Sequence, residues 1–97
     1  MMMTIEDFAV KLKAEIINKN KQEVYDLMGQ LNENVKINNE YVRWITEPVN
    51  LTAVKQLLID NLNVPPRAMM LRTRPSTRVQ RAIMFSKALE NGVKHIL

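Results

Sequence analysis

Four times along this chain, apolar residues recur three and four positions apart, and asparagine, proline or glycine closes most of the runs. The first run is Ile5, Phe8, Ala9, Leu12 and Ile16, and the second is Val24, Leu27, Met28 and Leu31. The third is Leu51, Val54, Leu57, Leu58 and Leu62, and the last is Val79, Ala82, Ile83 and Leu89, with Ser86 on the same inner face and Phe85 at its edge. A period near 3.6 places each set on one face of an α-helix, so each helix must bury that face against the others. The expected fold is therefore mainly α, a compact bundle of four to five short helices.

The boundaries come from capping chemistry. Thr4, followed by Glu6 and Asp7, marks the start of the first helix, and Asn18-Lys19-Asn20 breaks it. Asn20 with Glu23 suggests the next start, and the short link predicts an antiparallel helical hairpin. Gly29 lies inside that second helix and reads as a tolerated surface position. Asn50 is the expected cap of the third strong helix. The last helix is expected to begin near Ser76, behind Pro75, and to stop at Asn91-Gly92-Val93 with glycine in the left-handed conformation. Residues 35–45 admit two readings. Tyr41, Trp44 and Ile45 fit a short helix capped by Asn38 or Asn39, whereas Val35-Lys36-Ile37 and Tyr41-Val42-Arg43-Trp44 flanking Asn38-Asn39 fit a small β-hairpin. Trp44 is expected to anchor the core, with base stacking as its alternative role.

A chain of 97 residues, 46% hydrophobic and 25% charged, has the composition of one small globular domain spanning 1–97. Residues 1–62 form its scaffold helices, and 63–97 form an arginine-rich connection and the C-terminal helix. No window approaches the roughly 18 to 20 apolar residues of a membrane span. The segment Met-Met-Met-Thr-Ile-Glu-Asp-Phe at residues 1–8 lacks the basic and apolar regions of a secretory signal, and there is no cysteine, so a cytoplasmic setting without disulfides is expected.

The net charge of +4 is unevenly distributed. Residues 1–60 carry seven Lys/Arg against nine Asp/Glu, whereas residues 61–97 carry seven against Glu90 alone. Five of the six arginines, Arg67, Arg72, Arg74, Arg78 and Arg81, fall within residues 64–81, which hold no acid. Arginine presents a planar donor fork suited to phosphate or carboxylate. With Ser76 as cap, Arg78 and Arg81 share one face of the last helix, bordered by Thr77, and Arg74 stands just outside. An anion there would meet aligned backbone N–H groups and guanidinium groups together. The competing reading is internal pairing with Glu33, Glu40, Glu47 or Asp60.

The segment Leu58 to Met69 resembles the turn region of helix-turn-helix DNA-binding segments. In that resemblance Leu62-Asn63-Val64 forms the turn with Asn63 left-handed, Pro66 opens a second helix, and Ala68-Met69 pack back on the first. Arg67, Arg72 and Arg74 would then face the major groove or its phosphates, although Pro75 would cut that helix short. Met69-Met70-Leu71 either fills irregular gaps in the core or, if exposed, forms an adaptable patch between the arginines.

Catalytic chemistry finds little material. His95 is the single histidine, Gly29 and Gly92 cannot build a phosphate-cradling loop, and metal-ligand spacing is absent, so neither an enzyme nor a cofactor is expected. The expected function is a small basic nucleic-acid-binding or regulatory protein contacting phosphates through Arg67, Arg72, Arg74, Arg78 and Arg81. The alternative is an interaction module (an adaptor, assembly factor or inhibitor of the kind mobile genetic elements encode) docking an acidic protein surface through the same arginines with Met69 and Met70. Self-association through that patch belongs to the second reading.

Overall fold

The computed structural model describes residues 3–69 and 77–97. Within them the chain forms α1 (Ile5–Ile17), α2 (Lys21–Glu33), α3 (Val35–Ile45), α4 (Pro48–Leu62) and α5 (Arg78–Ile96), with a 3₁₀ turn at Pro66–Met69. No strand occurs among the described residues, and no helix there is long and apolar enough to cross a membrane.

The Thr4 expectation holds in detail. Its Oγ1 accepts from the Asp7 N–H at 3.1 Å, and the Asp7 carboxylate accepts from the Thr4 N–H at 3.5 Å, a reciprocal capping box. Phe8, Ala9, Leu12 and Ile16 are buried along α1, and Val24, Leu27, Met28 and Leu31 along α2. The reversal between the two helices puts Lys19 at φ 62°. Asn20 holds the cap position of α2, yet its side chain donates to Glu15 at 2.7 Å instead of capping the helix.

The β-hairpin alternative over 35–45 is not what forms; the segment is α3. Ile37, Tyr41 and Ile45, spaced by four, lie on one helical face and are buried. With Asn38-Asn39 as a two-residue turn, a hairpin would have set Ile37 and Tyr41 on opposite faces, yet both are buried, as helical spacing requires. The cap is Asn34, not Asn38 or Asn39: its Oδ1 accepts from the Ile37 N–H at 3.1 Å. Asn38 instead donates to the Leu31 carbonyl at the end of α2, at 3.0 Å, so two asparagines satisfy a sharp helix-to-helix junction.

α4 starts earlier than Asn50 suggests. Pro48 occupies its first turn, where a missing N–H costs nothing, and Asn50 donates to the Trp44 carbonyl at 2.8 Å, holding the α3–α4 corner. Val54, Leu58 and Leu62 are buried, with Leu51 and Leu57 half-buried beside them.

α5 departs most from expectation. It runs through Gly92 to Ile96, and no glycine among the described residues has positive φ. Gly92 is buried, and a Cβ there would meet Val64 Cγ1 at 3.1 Å and Ala68 Cβ at 3.5 Å. The glycine is therefore a contact point for the 3₁₀ turn and not a stop signal. The helix is also rolled relative to the expected face. Ala82, Phe85, Leu89, Gly92 and Val93 point inward, whereas Val79 and Ile83 are 53% and 40% exposed. Turning Phe85 inward removes a large apolar ring from water, which outweighs the smaller loss at Val79 and Ile83.

One cluster of buried side chains links all five helices and the 3₁₀ turn. Tyr41 lies within it, edge-on to Phe8 at a centroid distance of 5.6 Å and tilted against Trp44 at 6.0 Å. Trp44 is half-buried, with the Lys13 ammonium 5.6 Å from its ring centroid.

Candidate functional site

The first turn of α5 carries Arg78 and Arg81. Thr77, not Ser76, is the cap residue: its Oγ1 accepts from the Gln80 N–H at 3.1 Å. Arg78 is therefore the first residue of α5 and Arg81 the fourth, one turn apart, and both are exposed. The ion pairs offered by Glu33, Glu40, Glu47 and Asp60 do not form with Arg67, Arg78 or Arg81. Among the described residues the ion pair present is Lys11–Glu23, at 3.5 Å. No acid stands in the first turn of α5, so two positive charges oppose the helix dipole without local compensation.

Arg78, Arg81 and Ala82 form one wall of a cleft of about 170 Å³, and Ile45, Thr46, Pro48 and Leu51 of the α3–α4 corner form the other. The corner keeps its shape through side-chain bonds to carbonyls at the end of α3: Asn50 to Trp44, and Thr46 Oγ1 to Arg43 at 2.6 Å. The cleft thus has an apolar floor and two guanidinium groups that form no ion pair among the described residues. None of the corner residues carries a mark of function in the sequence, because nothing in residues 45–51 signals proximity to residue 78.

The arginine run does not collapse into one cluster. Arg67 is exposed on the 3₁₀ turn, whose neighbour Ala68 lies against Gly92. Fourteen residues of α5 separate Gly92 from Arg78, roughly 21 Å along the helix axis at about 1.5 Å per residue. Arg67 and the Arg78–Arg81 pair therefore sit towards opposite ends of α5. Arg72, Arg74 and Met70 lie outside the described residues. Met69 is buried, so it fills the core and contributes nothing to an exposed patch.

The helix-turn-helix resemblance is met at its turn and not beyond it. Asn63 is left-handed (φ 56°, ψ 30°), and the Val64 N–H returns to the Leu58 carbonyl at 3.2 Å. The next element is the 3₁₀ turn, closed by the Ala68 N–H on the Pro65 carbonyl at 2.9 Å, not the first turn of an α-helix. Two consecutive prolines remove two N–H groups, and burial of Val64 and Met69 pins the turn onto α5. Ala68 lies against Gly92 of α5.

A second concavity, of about 60 Å³, lies where α2, α3 and α5 meet, with Met28, Leu31, Tyr41, Val42, Ile83 and Ser86 among its walls. Burial raises the Tyr41 phenol to about 12, with the Ser86 hydroxyl acting in the opposite direction. The Tyr41 hydroxyl has no well-formed hydrogen bond among the described residues. The Ser86 hydroxyl, which donates to the Ala82 carbonyl at 2.9 Å, keeps lone pairs that can accept from the phenol. The spacing Ile37-Tyr41-Ile45 marks the phenol as buried; what its hydroxyl meets there depends on α5 and is not written in that spacing.

No protein family, curated protein or solved structure matches the chain.

Proposed function

We propose that the chain is a small basic helical protein that binds nucleic acid through its phosphates, with Arg78 and Arg81 at the start of α5 as its principal contacts. The observation that carries this reading is that both guanidinium groups are exposed, with no ion pair among the described residues, at a capped helix N-terminus whose first turn holds no acid. Arg67, on the 3₁₀ turn towards the other end of α5, suits an extended polyanion better than a compact one. Arg72 and Arg74 belong to the same proposal through their place in the chain between these ends.

Phosphate neutralisation releases counterions, so affinity falls steeply with salt. The test is a salt titration of binding to random-sequence duplex DNA and RNA, with the double variant Arg78→Ala/Arg81→Ala alongside. The expected result is a linear log–log decline whose slope becomes shallower by about 0.9 to 1.8 in the variant on duplex DNA, for one or two lost phosphate contacts. No binding to either polymer at low salt overturns the reading.

The alternative, docking of an acidic protein segment and self-association with it, draws on the cleft itself. An apolar floor between two guanidinium groups would accept an aliphatic side chain flanked by carboxylates. It loses Met69, which is buried.

A further inference from the structure

The cleft beside Arg78 and Arg81 holds more than phosphate binding requires. Exposed guanidinium groups alone can meet a phosphate, yet behind these two lies a recess of about 170 Å³ lined by Ile45, Pro48, Leu51 and Ala82. Ile45 and Ala82 are buried and Leu51 is half-buried, so core packing sets the shape of the recess. No acid is among its walls within the described residues. Its volume falls short of the roughly 300 Å³ or more of sites that take a drug-sized ligand, so it suits a single ring or a single side chain. Thr46 adds a hydroxyl to the walls. Its Oγ1 donates to the Arg43 carbonyl at 2.6 Å and keeps lone pairs for a donor on the guest. A duplex would leave such a recess empty, because its paired bases stay in the stack. A single strand can turn one base out and set it beside its own phosphates.

We infer that the cleft takes one unpaired nucleobase of a single strand; this rests on the nucleic-acid reading of Arg78 and Arg81 and names its substrate class. Arg81, next to Ala82 at the floor, lays its guanidinium plane on one face of the base, and Pro48 and Leu51 cover the other. The Thr46 Oγ1 accepts from a ring N–H. Arg78, the first residue of α5, takes the adjoining phosphate. Charge favours this guest over an aliphatic side chain. One nucleotide brings a ring and a phosphate together to two guanidinium groups that form no ion pair among the described residues, whereas a peptide must supply separate carboxylates around its apolar residue.

The test uses the full chain at low salt and measures binding of a short oligothymidylate, an abasic strand of the same phosphate count, and a duplex of the same length. Oligothymidylate is expected to bind at least about fivefold more tightly than the abasic strand, the low end of what one stacked base contributes. It should also shift the NMR amide signals of Thr46, Leu51 and Ala82, which the abasic strand should leave in place. Arg81→Lys keeps the charge and loses the plane, and Leu51→Ala removes part of one wall; each should bring the ratio of the two affinities towards one. Equal affinity for the intact and abasic strands, or a ratio unchanged in both variants, overturns the inference, while binding to the duplex would leave the phosphate reading standing. Absence of binding to all three polymers overturns both together. A Glu-Leu-Glu peptide that binds more tightly than oligothymidylate and shifts the same amides assigns the cleft to an acidic protein segment and overturns the inference as well.

Discussion

Tyr41 is the residue at which stability and chemistry pull apart. Burial keeps its phenol protonated up to about 12, against 10.0 for the ordinary side chain. Between those pH values the unfolded chain loses a proton that the folded chain retains. The phenol's contribution is therefore complete below about pH 10 and is lost as pH rises towards 12, by roughly 2 to 3 kcal/mol in total. Denaturant unfolding of the parent and Tyr41→Phe across about pH 8 to 12 should show this loss in the parent alone. At neutral pH the variant is expected to equal or exceed the parent in stability by up to about 1 kcal/mol, since it removes a hydroxyl that has no well-formed bond. A clear loss of stability at pH 7 would mean the hydroxyl is well satisfied in the folded chain.

At the scale of the element, the two glycines sit in α-helices and do opposite things. A Cβ at Gly29 meets nothing within 4 Å, so Gly29→Ala should stabilise α2 by about 0.5 to 1 kcal/mol through helix propensity alone. A Cβ at Gly92 meets Val64 Cγ1 at 3.1 Å, and Val64 is itself buried with little room to move. Gly92→Ala should forfeit the same propensity gain, and Gly92→Leu should cost about 1 to 3 kcal/mol by forcing the 3₁₀ turn off α5. Thermal denaturation of the three variants checks the contrast. The glycine at 29 was legible as a surface position because its neighbours in sequence already account for the buried face. The glycine at 92 was not, because Asn91-Gly92-Val93 has the composition of a helix stop and its actual contact comes from residues 64 and 68. The same holds for α3: β-prone residues left a hairpin open, and the neighbouring helices decided it by burying Ile37, Tyr41 and Ile45 on one side.

Over the whole molecule, positive charge is concentrated where it opposes folding slightly and favours anions. Removing Arg78 and Arg81 from the first turn of α5 should leave the fold intact and raise its stability by a few tenths of a kcal/mol at low salt, a gain that fades as salt is added. Circular dichroism and denaturant midpoints at low and high ionic strength measure this. Unfolding of the double variant would mean that the guanidinium groups hold the α3–α4 corner, which is the internal-pairing account in another form.

Residue order by itself determined that α1, α2, α4 and α5 are helices, because apolar side chains at a period of 3.6 share one helical face, and it determined where the positive charge lies along the chain. It also marked Thr4 and Asn63 correctly, since capping and left-handed turns depend on neighbours a few positions away. Only the tertiary structure decided how α5 is rolled, that Met69 is inside, that Arg67 stands far from Arg78 and Arg81, and which walls enclose the Tyr41 hydroxyl. Those outcomes depend on surfaces contributed by residues tens of positions apart, and no local periodicity carries that information.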